Sequence, residues 1–553
     1  MKRKTLLPLS AIVVASAFVA SGGAAPPSGP QLSNVPTANT KAAGYAPASR
    51  LSAELSQVIV AQGSQKLENP HGIITNYGYE NDTPSPDDAT VPAMLPVGSP
   101  AAEAQKTEPD KNTYLVFKHG LPGADPAYDY GTHFLFQGHE LAASVNGKPQ
   151  GLITRINLDA DAAHRVTLLG WQDTNGNSIA PIDGSTWDPF SQRLLFTTES
   201  PSAPTYSATP DYPSTIEDLS GSLGRGGYEG IQDDGDGNIW IVEDIGGSNK
   251  AGAVASKIPN SFIYRYVPAQ PGDLKHGKLQ VLQVLNAGGT PITQASQTAV
   301  NAPDQVALHS YGKVLSTRWV TVHDTAVDGT AAFNANTAAK AKDGTPFKRP
   351  ENGVFRPGSH FGEFFFTETG DTNATATENP VGGWGSLFRL QQSSGSAATG
   401  KISVLYKGDQ VHTGFDNIGF LSKNQLGVVE DAGDTLHSQR NALDSGYSFD
   451  VTADYSNGQT QPIRWLAEGR DPSATLDSAN GGYGKNEGDN EITGLHISDG
   501  DPSVGGILGA KSPNLGDKKW RWFYTQQHGD NMTWEVVLGS RDHGDGGDDD
   551  QGD

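Results

Sequence analysis

The chain is long, acidic and free of cysteine. It has 553 residues, with 62 acidic against 39 basic side chains and a formal net charge of −23. Without cysteine it can form no disulfide scaffold, thiolate zinc site, iron–sulfur cluster or cysteine nucleophile. The acidic balance argues against a nucleic-acid-binding protein, because phosphate contacts require clustered Lys and Arg.

The N-terminus has the three-part pattern of a secretory signal peptide. A basic region at residues 2–4 precedes an apolar stretch at residues 6–20, and small residues follow. The apolar stretch is too short to span a membrane comfortably, which takes about 20 residues. We therefore predict a signal peptide over residues 1–24, a flexible leader over residues 25–50, and a secreted or periplasmic protein.

Six short segments share one pattern, a run of strand-forming residues that ends in a polar or acidic cluster. They are FLFQGHE (134–140), RLLFTTES (193–200), IWIVEDIGG (239–247), EFFFTETGD (363–371), QLGVVEDAGD (425–434) and WRWFYTQQHGD (520–530). Convincing helices are scarce, and residues 51–62 are the best candidate. Repeated small sheets predict an all-β, six-bladed β-propeller with loop insertions and few short helices over residues 51–539, since radial repetition hides the sheet edges. A pair of β-sandwich domains is the alternative.

Two acidic segments resemble calcium loops but favour other interpretations. The segment DGDGN (234–238) is followed by Ile239 at the position where an EF-hand requires glycine, so a hairpin turn is favoured. The acidic, glycine-rich segment 540–553 is typical of a disordered tail.

Pairs of polar residues recur on either side of a strand–turn–strand pattern. Three pairs have equal spacing and a fourth is slightly longer: Ser185 and Glu199, Glu229 and Glu243, Asp416 and Glu430, and Glu351 and Glu368. Both ends of a hairpin lie at the same end of a sheet, so these groups are expected to converge at one mouth of the propeller. Converging carboxylates repel one another unless cations neutralise them, and hard oxygen ligands suit Ca²⁺ and ferric iron.

An ordered set of motifs resembles the PhoX-type alkaline phosphatases. The motifs are QGHE (137–140), GSTWDPFSQRLLFTTES (184–200), GYEGIQDDGDGNIWIVED (227–244), FIYRYV (262–267), RPE (349–351), NPVGGWGSLFRL (379–390), FDNIGF (415–420), EITG (491–494) and YTQQHG (524–529). The resemblance implies a six-bladed propeller that hydrolyses phosphomonoesters with a cluster of ferric iron and calcium in its central channel.

The resemblance also implies roles for individual residues. Arg349 resembles the arginine that holds the phosphate, and a guanidinium fork matches phosphate oxygens. The implied metal-centre residues are Glu140, Glu199, Glu229, Glu351, Asp416, Asn417, Glu491 and Gln527.

The chain departs from the family pattern at two points. Thr198 stands where the family has an iron-ligating cysteine, which makes this hydroxyl a candidate nucleophile and puts Fe³⁺ in doubt. The basic region at residues 2–4 also lacks the adjacent arginines of the twin-arginine export route. Calcium is therefore the expected cofactor.

Together these patterns predict a secreted metal-dependent phosphatase that hydrolyses phosphate monoesters or diesters. The expected partner is a small phosphate ester, with no nucleic acid and no membrane, and the expected state is a monomer. Two alternatives stay open at this point. One is a calcium-dependent lactonase or esterase on a similar propeller, and the other is a non-catalytic secreted propeller that binds carbohydrate or protein.

Overall fold

The computed structural model describes residues 29–41, 48–79, 107–145, 148–247, 257–296, 302–371, 373, 382–469, 491–527 and 531–539. The predicted signal peptide (1–24) and the predicted tail (540–553) lie outside the described residues. Among the described residues, no helix has the length and apolar character needed to cross a membrane.

We divide the described strands into six antiparallel units, numbered in chain order, of which units 3 and 4 are parts of one nine-stranded sheet. Four strands precede the first complete unit: β1 (Arg50–Leu51), β2 (Leu55–Ala61), β3 (Lys66–His71) and β4 (Ile74–Asn76). Unit 1 contains β5 (Pro109–Val116), β6 (His133–Val145), β7 (Lys148–Asn157) and β8 (Val166–Gly170). Unit 2 contains β9 (Ser185–Asp188), β10 (Arg193–Phe196), β11 (Tyr206–Ala208) and β12 (Ile216–Asp218). Unit 3 contains β13 (Tyr228–Asp233), β14 (Ile239–Glu243), β15 (Ile263–Pro268) and β16 (Gly277–Leu285).

The remaining units continue the same arrangement. Strand β17 (Leu315–Asp324) links units 3 and 4. The described α-helices are α1 (Pro303–Leu308), α2 (Thr325–Asp328), α3 (Ala335–Ala341) and α4 (Gly433–Arg440), and 3₁₀ turns lie at Gln294–Ser296 and Val504–Gly506. Unit 4 contains β18 (Pro350–Phe355), β19 (Glu363–Glu368), β20 (Ser386–Gln392) and β21 (Thr399–Lys407). Unit 5 contains β22 (Phe415–Phe420), β23 (Gln425–Glu430), β24 (Ser445–Asp450) and β25 (Ile463–Ala467). Unit 6 contains β26 (Glu491–Ser498), β27 (Arg521–Gln527), β28 (Met532–Leu538) and the N-terminal β2.

The units form a closed ring. Their first strands contact one another in the order β5, β9, β13, β18, β22, β26 and back to β5. A hydrophobic core fills every junction between neighbouring units within the described residues, including the junction between unit 6 and unit 1. Such a ring is not compatible with a pair of β-sandwich domains.

The repeated segments of the sequence mark one position in every unit. Each coincides with the second strand of a different unit: five contain β10, β14, β19, β23 or β27, and the segment at 134–140 lies within β6. The all-β, propeller-like expectation is confirmed. The division into six blades remains the interpretation that these units support.

The expected helix at residues 51–62 is wrong. Residues Leu55–Ala61 form β2, which pairs antiparallel with β28 and completes unit 6. Its centre is Val58-Ile59-Val60, and β-branched residues favour the pleated, half-buried surface of a sheet. An N-terminal strand therefore joins the C-terminal unit and closes the ring.

The segment DGDGN (234–238) forms the turn between β13 and β14, as expected. Oδ1 of Asp234 accepts hydrogen bonds from the backbone N–H groups of Asp236, at 2.9 Å, and Asn238, at 3.0 Å. The aspartate thus stabilises its own turn, as short acidic side chains commonly do.

Part of the predicted leader packs on the body. The backbone N–H of Val35 donates to the carbonyl of Arg464 at 2.8 Å, and the N–H of Arg464 donates to Oδ1 of Asn34 at 2.9 Å. Leu32 is 8% exposed and belongs to the core between units 5 and 6. The domain boundaries remain predictions, but residues 29–41 contribute to a core.

Replacing Leu32 therefore tests this packing. We expect Leu32→Ala to lower the free energy of unfolding by about 2 kcal/mol, because a buried leucine loses its contacts. Gln31 is the exposed neighbour of Leu32, and the matched control Gln31→Ala should leave the free energy of unfolding unchanged. Chemical denaturation followed by tryptophan fluorescence measures both, and equal stability of the two variants would mean that the leader is not docked.

Candidate metal centre

Four innermost strands carry an acidic residue at their second position. These residues are Asp110 in β5, Glu229 in β13, Glu351 in β18 and Asp416 in β22. Directly after the first residue of each strand, the pairing with the neighbouring strand shifts by one residue. Such a β-bulge bends the strand and re-aims a side chain. The repeated bulge explains how acids from different units converge at one end of the ring.

The converging acids form three overlapping groups, and the carboxylate oxygens within each group lie within 4.8 Å of one another. The groups are Asp110, Asp183 and Glu229; Glu140, Asp183 and Glu199; and Glu199, Glu229 and Glu351. We call the six residues of these groups the acidic cluster. The structure thus brings together four predicted ligands, Glu140, Glu199, Glu229 and Glu351.

Burial and like charge together disfavour ionisation in the acidic cluster. Burial raises the pKa of Asp110 to about 6 and that of Glu199 to about 7. Burial, followed by the charge of Asp183, raises the pKa of Glu229 well above its usual range. For Glu351, burial and then the charge of Asp244 act in the same direction on the pKa. Ionised carboxylates at these positions need a nearby positive charge.

Several oxygens around the acidic cluster lack hydrogen-bond donors. Oε2 of Glu229, Oδ1 of Asp183 and Oε1 of Gln527 are buried, and none has a hydrogen-bond partner within the described part of the chain. Buried polar atoms are normally paired, so unpaired acceptors at converging acids indicate an external partner. Because carboxylate and amide oxygens are the ligands that Ca²⁺ prefers, the donor set fits this ion.

The remaining predicted ligands lie around the acidic cluster. Asn417 donates from Nδ2 to both carboxylate oxygens of Asp416, at 2.9 Å each. Gln527 donates to Oδ2 of Asp110 at 3.2 Å, and it lies opposite Glu491 in the pairing of β26 with β27. These four predicted residues therefore border the cluster without belonging to its three groups.

Arg349 lies beside the acidic cluster and is held by two carboxylates. Its Nε donates to Oδ1 and Oδ2 of Asp244 at 3.1 and 2.9 Å, and its Nη2 is 3.3 Å from Oε1 of Glu351. Within the described residues no hydrogen bond uses Nη1, and the side chain is 20% exposed. Arg349 also adopts a left-handed backbone conformation with a φ of 54°. Non-glycine residues rarely adopt it, and such strain often occurs at functional sites.

Thr198 is buried, and its hydroxyl donates to the carbonyl of Pro204 at 3.1 Å. It belongs to none of the three carboxylate groups. The structure therefore does not place the hydroxyl of Thr198 among the converging oxygens, and its role stays a prediction.

The second members of the sequence pairs have partners of their own. Glu243 accepts hydrogen bonds from the N–H of Phe262 at 2.9 Å and from Nδ2 of Asn336 at 3.0 Å. Glu368 pairs with Nε2 of His309 at 2.9 Å. In these two pairs one acid lies in the acidic cluster and the other stabilises the sheet, whereas in the Ser185 and Glu199 pair the second member belongs to the cluster.

Sequence reasoning missed four functional candidates: Asp110, Lys111, Asp183 and Asp244. The Nζ of Lys111 donates to Oδ1 of Asn417 at 2.6 Å, and burial lowers the pKa of this lysine to about 8. Aligning the first residues of the innermost strands could have found Asp110, because Pro109-Asp110 matches Pro350-Glu351.

Comparisons with known proteins agree with the sequence motifs. The model of the family Alkaline phosphatase PhoX matches residues 255–501, a range that includes Arg349, Glu351 and Asp416. No curated protein sequence matches the chain. Among solved structures, Pseudomonas fluorescens PhoX in complex with vanadate, a transition state analogue, has 11% sequence identity and a TM-score of 0.52, covering 92% of this chain and 98% of that chain.

Weaker structural matches include other enzymes. Pseudomonas aeruginosa periplasmic gluconolactonase PpgL has 12% identity and a TM-score of 0.33, covering 79% of this chain and 90% of that chain. A catalytically inactive virginiamycin B lyase from Staphylococcus aureus has 11% identity and a TM-score of 0.32, covering 79% and 97%. The family match and the fold shared with PhoX confirm the resemblance found in the sequence, which is to the PhoX alkaline phosphatases, a family of phosphoric ester hydrolases.

Proposed function

We propose that the protein is an exported, calcium-dependent phosphatase that hydrolyses phosphate monoesters at the acidic cluster. The observation that carries this proposal is the convergence of buried, unpaired carboxylate oxygens beside Arg349. Carboxylates alone would repel an anionic phosphate, whereas carboxylates that hold cations beside an arginine would bind one. The match to the alkaline phosphatase family supports the same chemistry.

The ligands proposed for calcium are the acids of the acidic cluster, with Asp416, Asn417, Glu491 and Gln527 at its border. The three groups supply carboxylates without a thiolate or an imidazole, which favours calcium over softer metals. Bound calcium supplies Lewis-acid chemistry, since it stabilises negative charge on phosphoryl oxygens and lowers the pKa of water. Ferric iron would have to bind without the cysteine for which Thr198 substitutes.

Arg349 is the residue proposed to orient the substrate. Asp244 fixes the Nε side of its guanidinium group, so the Nη1 donors are left to face a phosphate oxygen. A planar arginine held in this way loses little side-chain entropy when it binds phosphate. Glu351 contacts the same guanidinium group and also belongs to the acidic cluster, which links the arginine to the proposed metal ligands.

The first experiment combines elemental analysis with an activity assay. Purified protein is analysed for calcium and iron and assayed with p-nitrophenyl phosphate before chelation, after chelation, and after calcium is returned. We expect bound calcium and activity that disappears and returns with calcium. Bound calcium without phosphate-ester hydrolysis would contradict the proposal, and hydrolysis of a lactone in the same sample would favour the lactonase alternative.

Replacing Arg349 tests its role. We expect Arg349→Ala to lower kcat/KM for p-nitrophenyl phosphate by about 100-fold or more, because the transition state loses a positioned donor. Arg356→Ala is the matched control, because Arg356 follows the other end of β18 and pairs with Glu363 at 3.0 Å. We expect this control to retain activity. Equal activity of both variants would exclude Arg349 from phosphate binding.

The raised pKa values predict a pH-dependent effect of calcium on stability. Because burial raises the pKa of Asp110 to about 6 and that of Glu199 to about 7, the native metal-free protein binds protons more tightly than the unfolded chain. The stability gained from this tighter proton binding is fully present below about pH 4, the pKa of these carboxyl groups in the unfolded chain. It is lost as the pH rises through their pKa values in the folded protein.

We therefore expect the Tm of the metal-free protein to fall between pH 5 and pH 8. Added calcium should raise the Tm more at pH 8, because ionised carboxylates bind it without releasing protons. Differential scanning calorimetry of wild-type protein and Glu199→Gln, with and without calcium, measures the rise in Tm at each pH. In Glu199→Gln the calcium-induced rise in Tm should differ less between pH 5 and pH 8 than in wild type. A calcium effect of equal size at both pH values would argue against binding at the acidic cluster.

A further inference from the structure

Two acids lie at the ends of innermost strands that point away from the acidic cluster. Asp188 is the last residue of β9, and Asp233 is the last residue of β13. Glu229 is near the beginning of β13, so Asp233 lies on the order of 10 Å further along the strand. The two aspartates therefore lie outside the proposed phosphatase site.

The carboxyl group of Asp233 has no hydrogen-bond partner among the described residues. The Asp233 side chain is fully buried, and the lack of a partner applies to both carboxylate oxygens. The charges that act on it are those of Asp188 and Asp234, both acidic. Burying an ionised carboxylate without a donor or a cation costs free energy, so a partner must neutralise the charge of Asp233.

The direction of Asp233 is set by the strand. Ile231 lies two residues earlier on the same face of β13 and shares a core with Leu195 of unit 2. Asp233 therefore faces unit 2, where β9 ends with Asp188. Asp188 is 2% exposed and accepts hydrogen bonds from the N–H groups of Phe190, at 2.8 Å, and Ser191, at 3.3 Å. Each of its oxygens keeps a further lone pair for a ligand.

The neighbouring Asp234 is in a different state. Its Oδ2 accepts from Nδ2 of Asn238 at 2.8 Å and from Nε1 of Trp240 at 3.0 Å, while its Oδ1 serves the turn described above. Asp234 is thus the aspartate whose side chain accepts the hydrogen bonds of the turn. The adjacent residue, Asp233, is the one without partners.

Two species could neutralise Asp233, a proton or a cation. No described residue donates a hydrogen bond to either oxygen of Asp233, so a proton would neutralise the charge but leave the oxygens without a donor. A proton on Asp233 would also not neutralise Asp188. A cation would be a ligand for both of its oxygens and would also neutralise the charge of Asp188.

We propose that Asp233 and Asp188 bind a Ca²⁺ ion that joins units 2 and 3 at the end of the ring opposite the acidic cluster. The ion holds the ends of two neighbouring innermost strands together. Two hard carboxylates from different strands supply its charge-neutralising ligands. The proposal is independent of the phosphatase activity, because neither aspartate belongs to the acidic cluster.

The test is a difference in calcium content. Wild-type protein, Asp233→Asn, Asp188→Asn and the control Asp234→Asn are dialysed against the same calcium buffer and analysed for calcium per chain. We expect the first two variants to hold one calcium fewer than wild type and to keep their p-nitrophenyl phosphatase activity. Asp234→Asn should hold the same number as wild type. Wild-type calcium content in both Asp233→Asn and Asp188→Asn would overturn the proposal.

A stability measurement separates the cation from a proton. In chelator at pH 8 we expect Asp233→Asn to melt at a higher temperature than wild type, because the amide removes a buried like charge. In saturating calcium we expect wild type to melt at the higher temperature, because Asp233→Asn lacks the calcium ion that joins units 2 and 3. A variant that melts at or above the wild-type temperature in both buffers would identify Asp233 as a protonated acid and overturn the cation. If Asp233→Asn does not fold, Asp188→Asn is compared in the same two buffers.

Discussion

The rest of the site depends on one constraint, that mutually repelling carboxylates are held close together by the backbone. Asp110, Glu229, Glu351 and Asp416 each follow the first residue of an innermost strand and lie at a β-bulge. The bulge is part of a sheet whose neighbours pack through hydrophobic cores at every described junction of the ring. The acids therefore cannot relieve their repulsion by moving apart, and protons or bound cations lower it instead.

The same hairpins supply acids for two different purposes. Glu229 is the second residue of an innermost strand and keeps an unpaired oxygen, whereas Glu243 ends the adjacent strand and has backbone and amide donors. The contrast explains why a regular sequence spacing does not by itself identify ligands.

The sequence was most informative where strands are apolar. The six repeated segments coincide with the second strands of the units, because most of their strand residues are buried and read as hydrophobic runs. The innermost strands were harder to predict. Strand β5 begins Pro109-Asp110-Lys111-Asn112, which reads as a polar loop although every one of these residues is buried. Its polarity hides the strand, and only the match of Pro109-Asp110 to Pro350-Glu351 relates it to another innermost strand. The N-terminal β2 was missed because its pairing with β28 is nonlocal.

The geometry at Arg349 shows how an acidic chain could bind an acidic substrate. Asp244 and Glu351 compensate the charge of this arginine, so without cations the arginine does not make the mouth positive. Cations at the acidic cluster would leave the guanidinium charge in excess at the point where Nη1 is open. Because local field rather than net charge governs binding in a cleft, a chain of net charge −23 can still offer an anion site. Metal loading and phosphate affinity are therefore expected to be coupled through Glu351, which contacts both the arginine and the cluster.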